Sequence, residues 1–291
     1  MRMSAVRISF LRVVRVAMVL ALLGAPCASR IAAQNPDTML PEESAAKARE
    51  ILAQLVDALG GDSYTEVRDR ECDGRRANFG HNGELNGYIE FKDYWLYPDK
   101  HRIDYAKKGN IIDAYNGDVG WTLDRTGVSE EPATSVADFQ DAVKRNVDNI
   151  LRLGLKDKDL ILRYGGMDLV DLRQVDWVEF SDPEAERTQR LAVEHLTHLL
   201  LRSVIITVDR TFNQRTSETT IYTNYQRLGG VMTPLQISRE RDGHRFYQAF
   251  FATCTYNTGL TPAFFGKEAL EKRYAEVGNK KDKDKYKNSR E

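Results

Sequence analysis

The spacing of hydrophobic positions divides the chain into one clear helix, a run of alternating segments, a second helix and more alternating segments. Over Ser44 to Leu59, Ala48, Ile51, Leu52, Leu55, Val56 and Leu59 recur three and four residues apart, as on one face of a helix, and Gly60-Gly61 supplies the stop. Strand patterns follow over Glu66–Phe79, Glu84–Tyr97, His101–Ala106, Asn110–Tyr115 and Gly120–Asp124, separated by His81-Asn82-Gly83, Pro98-Asp99 and Asn116-Gly117-Asp118. The Asn-Gly pair is a strong hairpin signal because both residues tolerate positive φ.

Ser135 to Leu153 returns to helical spacing, with Ser135 and Asp138 as a capping box, Phe139, Val143, Val147 and Ile150 on one face, and Gly154 as the stop. Strands resume over Leu160–Tyr164, Gln174–Phe180, Gln189–His195, Leu199–Val208, Ser217–Tyr225, Pro234–Glu240 and Arg245–Asn257. Sequential strands with short turns predict an antiparallel meander and a β-rich α+β class, without the alternating βα units of a parallel-sheet enzyme. Lys267 onward predicts a short helix and then a charged, disordered tail, Asn279 to Glu291.

Several strands are apolar on both faces. Ile89, Phe91, Trp95 and Tyr97 alternate with Tyr88, Tyr94 and Leu96, and Phe246, Phe250, Cys254 and Tyr256 alternate with Tyr247, Ala249 and Phe251. Two architectures fit: a sheet with one packed face and a few exposed aromatics, or a strongly curved sheet whose inner face is partly filled, with helices across its mouth.

The first residues are of another kind. Arg2, Arg7, Arg12 and Arg15 precede the apolar run Val16 to Leu23 and then small residues through Ala33, the pattern of a secretory signal peptide cleaved near Ala33 or Ala28. The run is too short for a spanning helix. Cys27 follows Gly24-Ala25-Pro26, and a proline at that place suits a lipoprotein cleavage box badly. The organisation expected is therefore a leader over 1–33, a spacer over 34–43, one domain over 44–266, and a helix with a tail over 267–291.

Composition is that of a globular protein, 42% hydrophobic and 29% charged. The leader holds five of the 42 Lys and Arg and none of the 43 Asp and Glu, so the remainder carries a net charge of −6 and offers no footprint for nucleic acid. In an exported chain, Cys72 and Cys254 either form one disulfide or remain two buried thiols.

No catalytic motif is present: no Gly-x-Ser-x-Gly, phosphate-binding glycine loop, His-Glu-x-x-His or Cys-x-x-Cys. His195 and His198 with Glu194 are the best metal candidates, but positions three apart on a strand face opposite ways, so turn-flanking histidines are the better account. His81, His101 and His244 adjoin turns, and Asp168 and Asp171 flank one, so none is singled out for acid–base work. The expectation is a protein that is not an enzyme and needs no cofactor or metal.

The assembled pattern resembles the periplasmic lipoprotein carriers and the wider outer-membrane lipoprotein-sorting superfamily, in an exported and largely uncharacterised bacterial branch. The residues that carry this are the helix Ala48 to Gly61, the segment Tyr115-Asn116-Gly117-Asp118-Val119-Gly120-Trp121, Gly229-Gly230-Val231 with Pro234, and Asn257-Thr258-Gly259-Leu260. The resemblance spans roughly residues 45–265. It implies an unclosed antiparallel β-barrel of roughly 11 strands, helices over its concave face, and an apolar interior that holds acyl chains without covalent chemistry. The chain departs from the carriers in its length, its charged tail and Leu200, which stands where a proline is expected.

The function expected is periplasmic binding or carriage of a lipid, an acyl chain or a lipoprotein, in association with the outer membrane. Its partners would be the lipid or acylated lipoprotein and a transport component of the inner or outer membrane. An envelope interaction module with a filled core on the same fold is the alternative. From the alternating faces, the residues expected to line the cavity are Ile89, Phe91, Trp95, Ile112, Trp121, Ile221, Tyr225, Ile237, Phe246 and Phe250, with Phe139, Val143 and Ile150 on the covering helix.

Overall fold

The alternating segments pair, in chain order, into one antiparallel sheet. In the computed structural model the described residues are 36–276 except 81–82, 106–109, 157–159, 183–186, 210 and 213, so the expected leader, the turn at His81-Asn82 and the tail 279–291 lie outside them. The strands are β1 (Asp69–Phe79), β2 (Leu85–Leu96), β3 (Lys100–Tyr105), β4 (Ile111–Asn116), β5 (Val119–Leu123), β6 (Val128–Glu130) and β7 (Leu162–Val170). They continue as β8 (Arg173–Asp182), β9 (Arg187–Glu194), β10 (Leu200–Asp209), β11 (Gln214–Leu228), β12 (Val231–Arg241) and β13 (His244–Tyr256).

The order across the sheet is β6-β5-β4-β3-β2-β1-β13-β12-β11-β10-β9-β8-β7. Two meanders thus meet where the last strand lies beside the first. The ladder is open, with β6 and β7 as its edges. It has thirteen strands rather than roughly 11, partly because β6 is too short to register as an alternating pattern. Cys72 on β1 sits directly opposite Cys254 on β13, and the two form a disulfide across that join.

The first helix, α1 (Pro41–Leu59), starts three residues earlier than the periodicity suggested. Pro41 is suited to the first helical turn, and Glu42 and Glu43 face the positive end of the helix dipole. Ala48, Ile51, Leu52, Leu55 and Leu59 are buried against Leu162, Tyr164, Val178, Phe180, Leu191 and Val193 of the sheet. Burying each leucine contributes about 1.5–3 kcal/mol. At the helix end, Gly60 has φ 132°, and a Cβ there would lie 2.6 Å from the Gly230 carbonyl oxygen. Only glycine lets the helix end close so tightly on the β11–β12 turn. A one-turn helix, α2 (Asp62–Thr65), follows.

The helix expected from Ser135 to Leu153 is two helices, α3 (Ala133–Arg145) and α4 (Val147–Arg152). Asn146 breaks it, with extended backbone and a side chain that accepts a hydrogen bond from the Asn149 amide at 3.2 Å. The cap of α3 is Pro132 without a side-chain bond, so the Ser135–Asp138 box is not formed. The strand expected to end at Tyr164 runs on through an irregularity at Gly165-Gly166 to Val170, and the chain turns at Asp171 and Leu172, with φ 50° and 64°. A C-terminal helix, α5 (267–276), follows a 3-10 turn at Pro262–Phe265.

Both faces of the sheet carry apolar clusters. On the helix side lies the main core just described. On the other side are two smaller ones: Val170, Val175, Trp177, Ala192 and Leu201 at one wing, and Ile112, Ala114, Leu123 and Leu270 at the other.

Candidate ligand-binding face

Cross-strand register places Arg70, Trp95, His101 and Tyr115 in one row across β1 to β4, and α3 lies over that row. Phe139 of α3 stacks on Tyr115 with ring centroids 4.5 Å apart. Trp95 stacks on His101 at 4.2 Å and on Tyr97 at 5.8 Å, and its centroid is 6.3 Å from Phe139. The result is a continuous aromatic wall between helix and sheet.

Beside the wall is a charged centre built from α4. Asp148 accepts hydrogen bonds from the Tyr64 hydroxyl at 2.7 Å and the Tyr97 hydroxyl at 2.9 Å. Arg152, one turn on, lies over the Tyr64 and Tyr97 rings at 4.4 and 4.2 Å and pairs with Asp148 at 3.7 Å. Burial favours a neutral Asp148, but Arg152 and Arg70 outweigh it and hold the carboxyl below its ordinary range.

A second pair sits on the sheet. Arg70 reaches Asp93 at 2.7 Å, and His101 Nε2 lies 2.8 Å from the other carboxylate oxygen. Burial would raise the Asp93 pKa; Arg70 and His101 prevail and lower it to about 2. Burial also pushes up the hydroxyls of Tyr97, Tyr222, Tyr225, Tyr247 and Tyr256, so all remain neutral donors at physiological pH. Tyr225 donates to the Leu200 carbonyl at 2.7 Å, and the Tyr256 and Thr233 hydroxyls are 2.6 Å apart. This face offers aromatic surface, neutral hydroxyls and the ion pairs Arg70–Asp93 and Arg152–Asp148.

The opposite face has its own cleft of ≈ 870 Å³, floored by Tyr94, Phe250 and Phe264 and rimmed by Asp73, Arg75, Lys92, Asp104 and Arg273. Arg102 lies beneath it, bonded to Asp104 at 2.6 Å and to the Phe264 carbonyl at 3.0 Å.

The expected lining residues divide between these faces. Trp95 and Phe139 are brought together on the helix side, and Ile150 and Tyr225 pack against the main core. Ile237 shares that side through its pairing with Tyr222 and Ala249, Ile89 through its pairing with Arg76, and Phe91 lies edge-on to Phe251 at 5.6 Å. Val143, on α3, is half-buried and uses its carbonyl to accept from the Asn149 side chain.

Ile112 and Trp121 pack with Leu270 on the other side. Ile221 is paired with Arg202 and Ser238, one residue out of step with Tyr222, and so points away from the helices. Phe250 lines the outer cleft beside Tyr88, and Phe246 is 44% exposed under Arg241. His195 bonds Asp176 at 2.7 Å, whereas His198 lies beyond the Leu196-Thr197 turn with φ 57°. No group of three or more His, Cys, Asp or Glu among the described residues is placed to hold a metal.

No protein-family model matches the chain, and no curated protein does. Solved structures do. A DUF1329 family protein from Desulfovibrio piger matches at TM-score 0.56 and 17% identity, over 78% of this chain and 99% of that one. A domain named for outer membrane lipoprotein sorting, from Vibrio parahaemolyticus, matches at 0.52 and 12%, with the same coverage. A LolA superfamily protein from Nitrosomonas europaea matches at 0.51 and 10%, again over 78% and 99%. The chain has the fold of the LolA superfamily. At these identities the likeness speaks for the LolA-like backbone and not for any residue of the site.

Sequence reasoning missed the polar residues of the helix-side face. The helical and strand periods single out none of Asp148, Arg152, Arg70 and Asp93. The signal that they face inward is the cross-strand register, which a single sequence does not disclose.

Proposed function

We propose that the protein is an exported, non-catalytic binding or carrier protein, with residues 44–266 as the binding domain, that holds a lipid, an acyl chain or a lipidated protein between the sheet and its helices. One observation carries the reading. On the helix side, Trp95, Tyr97, Tyr222, Tyr225 and Ile237 present large apolar surface that stays only half-buried. Each buried CH₂ of a chain lying there contributes about 0.8 kcal/mol, enough for tight binding without polar anchors.

The contacts of α3 support a sheet bent around that space. Phe139 touches Tyr115 on β4, while Asp141 reaches Arg187 on β9 at 2.8 Å and Arg145 reaches Glu218 on β11 at 3.6 Å. A flat sheet would hold β4 and β9 about 38 Å apart, whereas a helix of this length is about 20 Å long. The Cys72–Cys254 disulfide is of the kind maintained in oxidising compartments, which supports a periplasmic location. The shared fold with a protein named for lipoprotein sorting agrees.

Native mass spectrometry of protein purified without detergent tests the reading, together with displacement of a fluorescent fatty acid. Co-purified lipid, or saturable displacement, is expected; an empty protein that ignores the probe overturns it. The aromatic floor and ionic rim of the outer cleft favour a second reading, an envelope interaction module that docks through that face, with a stoichiometric protein partner and no lipid.

A further inference from the structure

The cations of the helix side are treated unequally. Arg70 has Asp93, Arg152 has Asp148, and Arg145 and Arg187 share Asp141. Arg76 and Arg239 have no carboxylate partner among the described residues and instead flank one aromatic ring. The Arg239 guanidinium lies 5.4 Å from the centre of Tyr247, its cross-strand neighbour, and that of Arg76 lies 5.8 Å from the same ring and 5.0 Å from Tyr105. Arg76 is opposite Ala249 and Arg239 is two residues from Ile237, so both belong to the face that carries the half-buried apolar surface.

Two unneutralised guanidinium groups around one ring repel each other, and the repulsion is relieved when an anion lies between or beside them. Guanidinium favours carboxylate and phosphate because its planar fork can donate two parallel hydrogen bonds to either. Beyond the two cations the face turns apolar, at Ile237, Ala249 and Ile89, where a hydrocarbon chain would continue.

The geometry points to Arg76 and Arg239 as the headgroup site for an anionic amphiphile, one whose carboxylate or phosphate sits against Tyr247 while its chain runs along Ile237 and Ala249. This rests on the carrier reading above and narrows its ligand to a class with a negative head.

Binding of a fluorescent fatty acid and of its uncharged methyl ester to the full chain tests it, in the wild type and in the R76Q/R239Q variant, with inorganic phosphate as a competitor. Both residues are away from the main core, and the melting temperature of the variant checks its fold; the single variants R76Q and R239Q serve in its place if the double glutamine form unfolds. The wild type is expected to prefer the acid, and the variant to lose about tenfold affinity for the acid while binding the ester as before. Equal binding of acid and ester, unchanged in the variant, overturns the headgroup site and leaves the carrier reading standing. Absence of binding to either overturns both. If millimolar phosphate displaces the acid and itself binds more tightly to wild type than to variant, the site belongs to a free anion and the headgroup assignment fails.

Discussion

The two faces of the sheet use the same residue types to different ends. On the helix side, arginines and carboxylates from β1, β2 and α4 are drawn together beneath helices, and tyrosine hydroxyls bond to Asp148 or to main-chain carbonyls. On the other side, Lys92 pairs with Asp73 at 3.1 Å on the rim of the cleft, and the buried Arg102 pairs with Asp104 at 2.6 Å beneath it. A polar group costs little where water reaches it and must be matched where water does not. Both faces hold buried ion pairs, Arg70–Asp93 on one and Arg102–Asp104 on the other, and among the described residues Arg76 and Arg239 stand out as helix-side cations without a carboxylate partner.

Substitutions can break or sharpen this contrast, and the largest effect belongs to the join of the two meanders. Removing the disulfide as C72A/C254A, which opens a link across 182 residues of chain, should cost about 3–5 kcal/mol in urea unfolding. Next, L52A on the helix side and I112A on the other should each lower stability by about 2–4 kcal/mol, since both residues are fully buried. Only L52A is expected to weaken the fatty-acid probe as well; the same loss in I112A would blur the faces.

Asp93 gives a smaller effect with a pH signature. Its pKa falls from 3.8 to about 2 on folding, so the folded state gains about 2 kcal/mol from the ionised carboxyl. A lowered pKa gives stability that is complete above about pH 4 and is lost as the pH falls toward 2. Thermal unfolding of D93N should show a deficit of that size at pH 7 that closes in acid, and a deficit independent of pH would remove Asp93 from the account. Smallest of all, F250A at the outer cleft should cost about 1 kcal/mol and leave the probe unaffected.

The part of this that was legible in the sequence depended on local signals. The helix α1 was readable because Ile51, Leu52 and Leu55 keep its period and Gly60-Gly61 ends it. The antiparallel hairpins announced themselves through Asn116-Gly117 and through strands apolar on both sides. The break at Asn146 was hidden because Val147 and Ile150 continue the period across it.

The faces were harder still. Alternation groups Phe250 with Phe246 and Ile112 with Ala114, but says nothing of which group lies under the helices. A shift of one residue exchanges Ile221 for Tyr222, and only strand pairing decides between them. The Arg70–Asp93 ion pair and the Tyr64–Asp148 hydrogen bond each join different elements, so no local pattern announces them.

The three tryptophans divide between the faces, Trp95 under α3 and Trp121 and Trp177 on the other side, and this provides the most direct test of where a ligand lies. Bromine on an acyl chain quenches tryptophan fluorescence only at close range. Titrating a brominated fatty acid into W121F/W177F, which keeps Trp95 alone, should quench strongly and saturably, and the same titration of W95F should leave the emission of Trp121 and Trp177 nearly unchanged. Quenching in W95F with Trp95 untouched would place the ligand on the other face of the sheet and contradict the account.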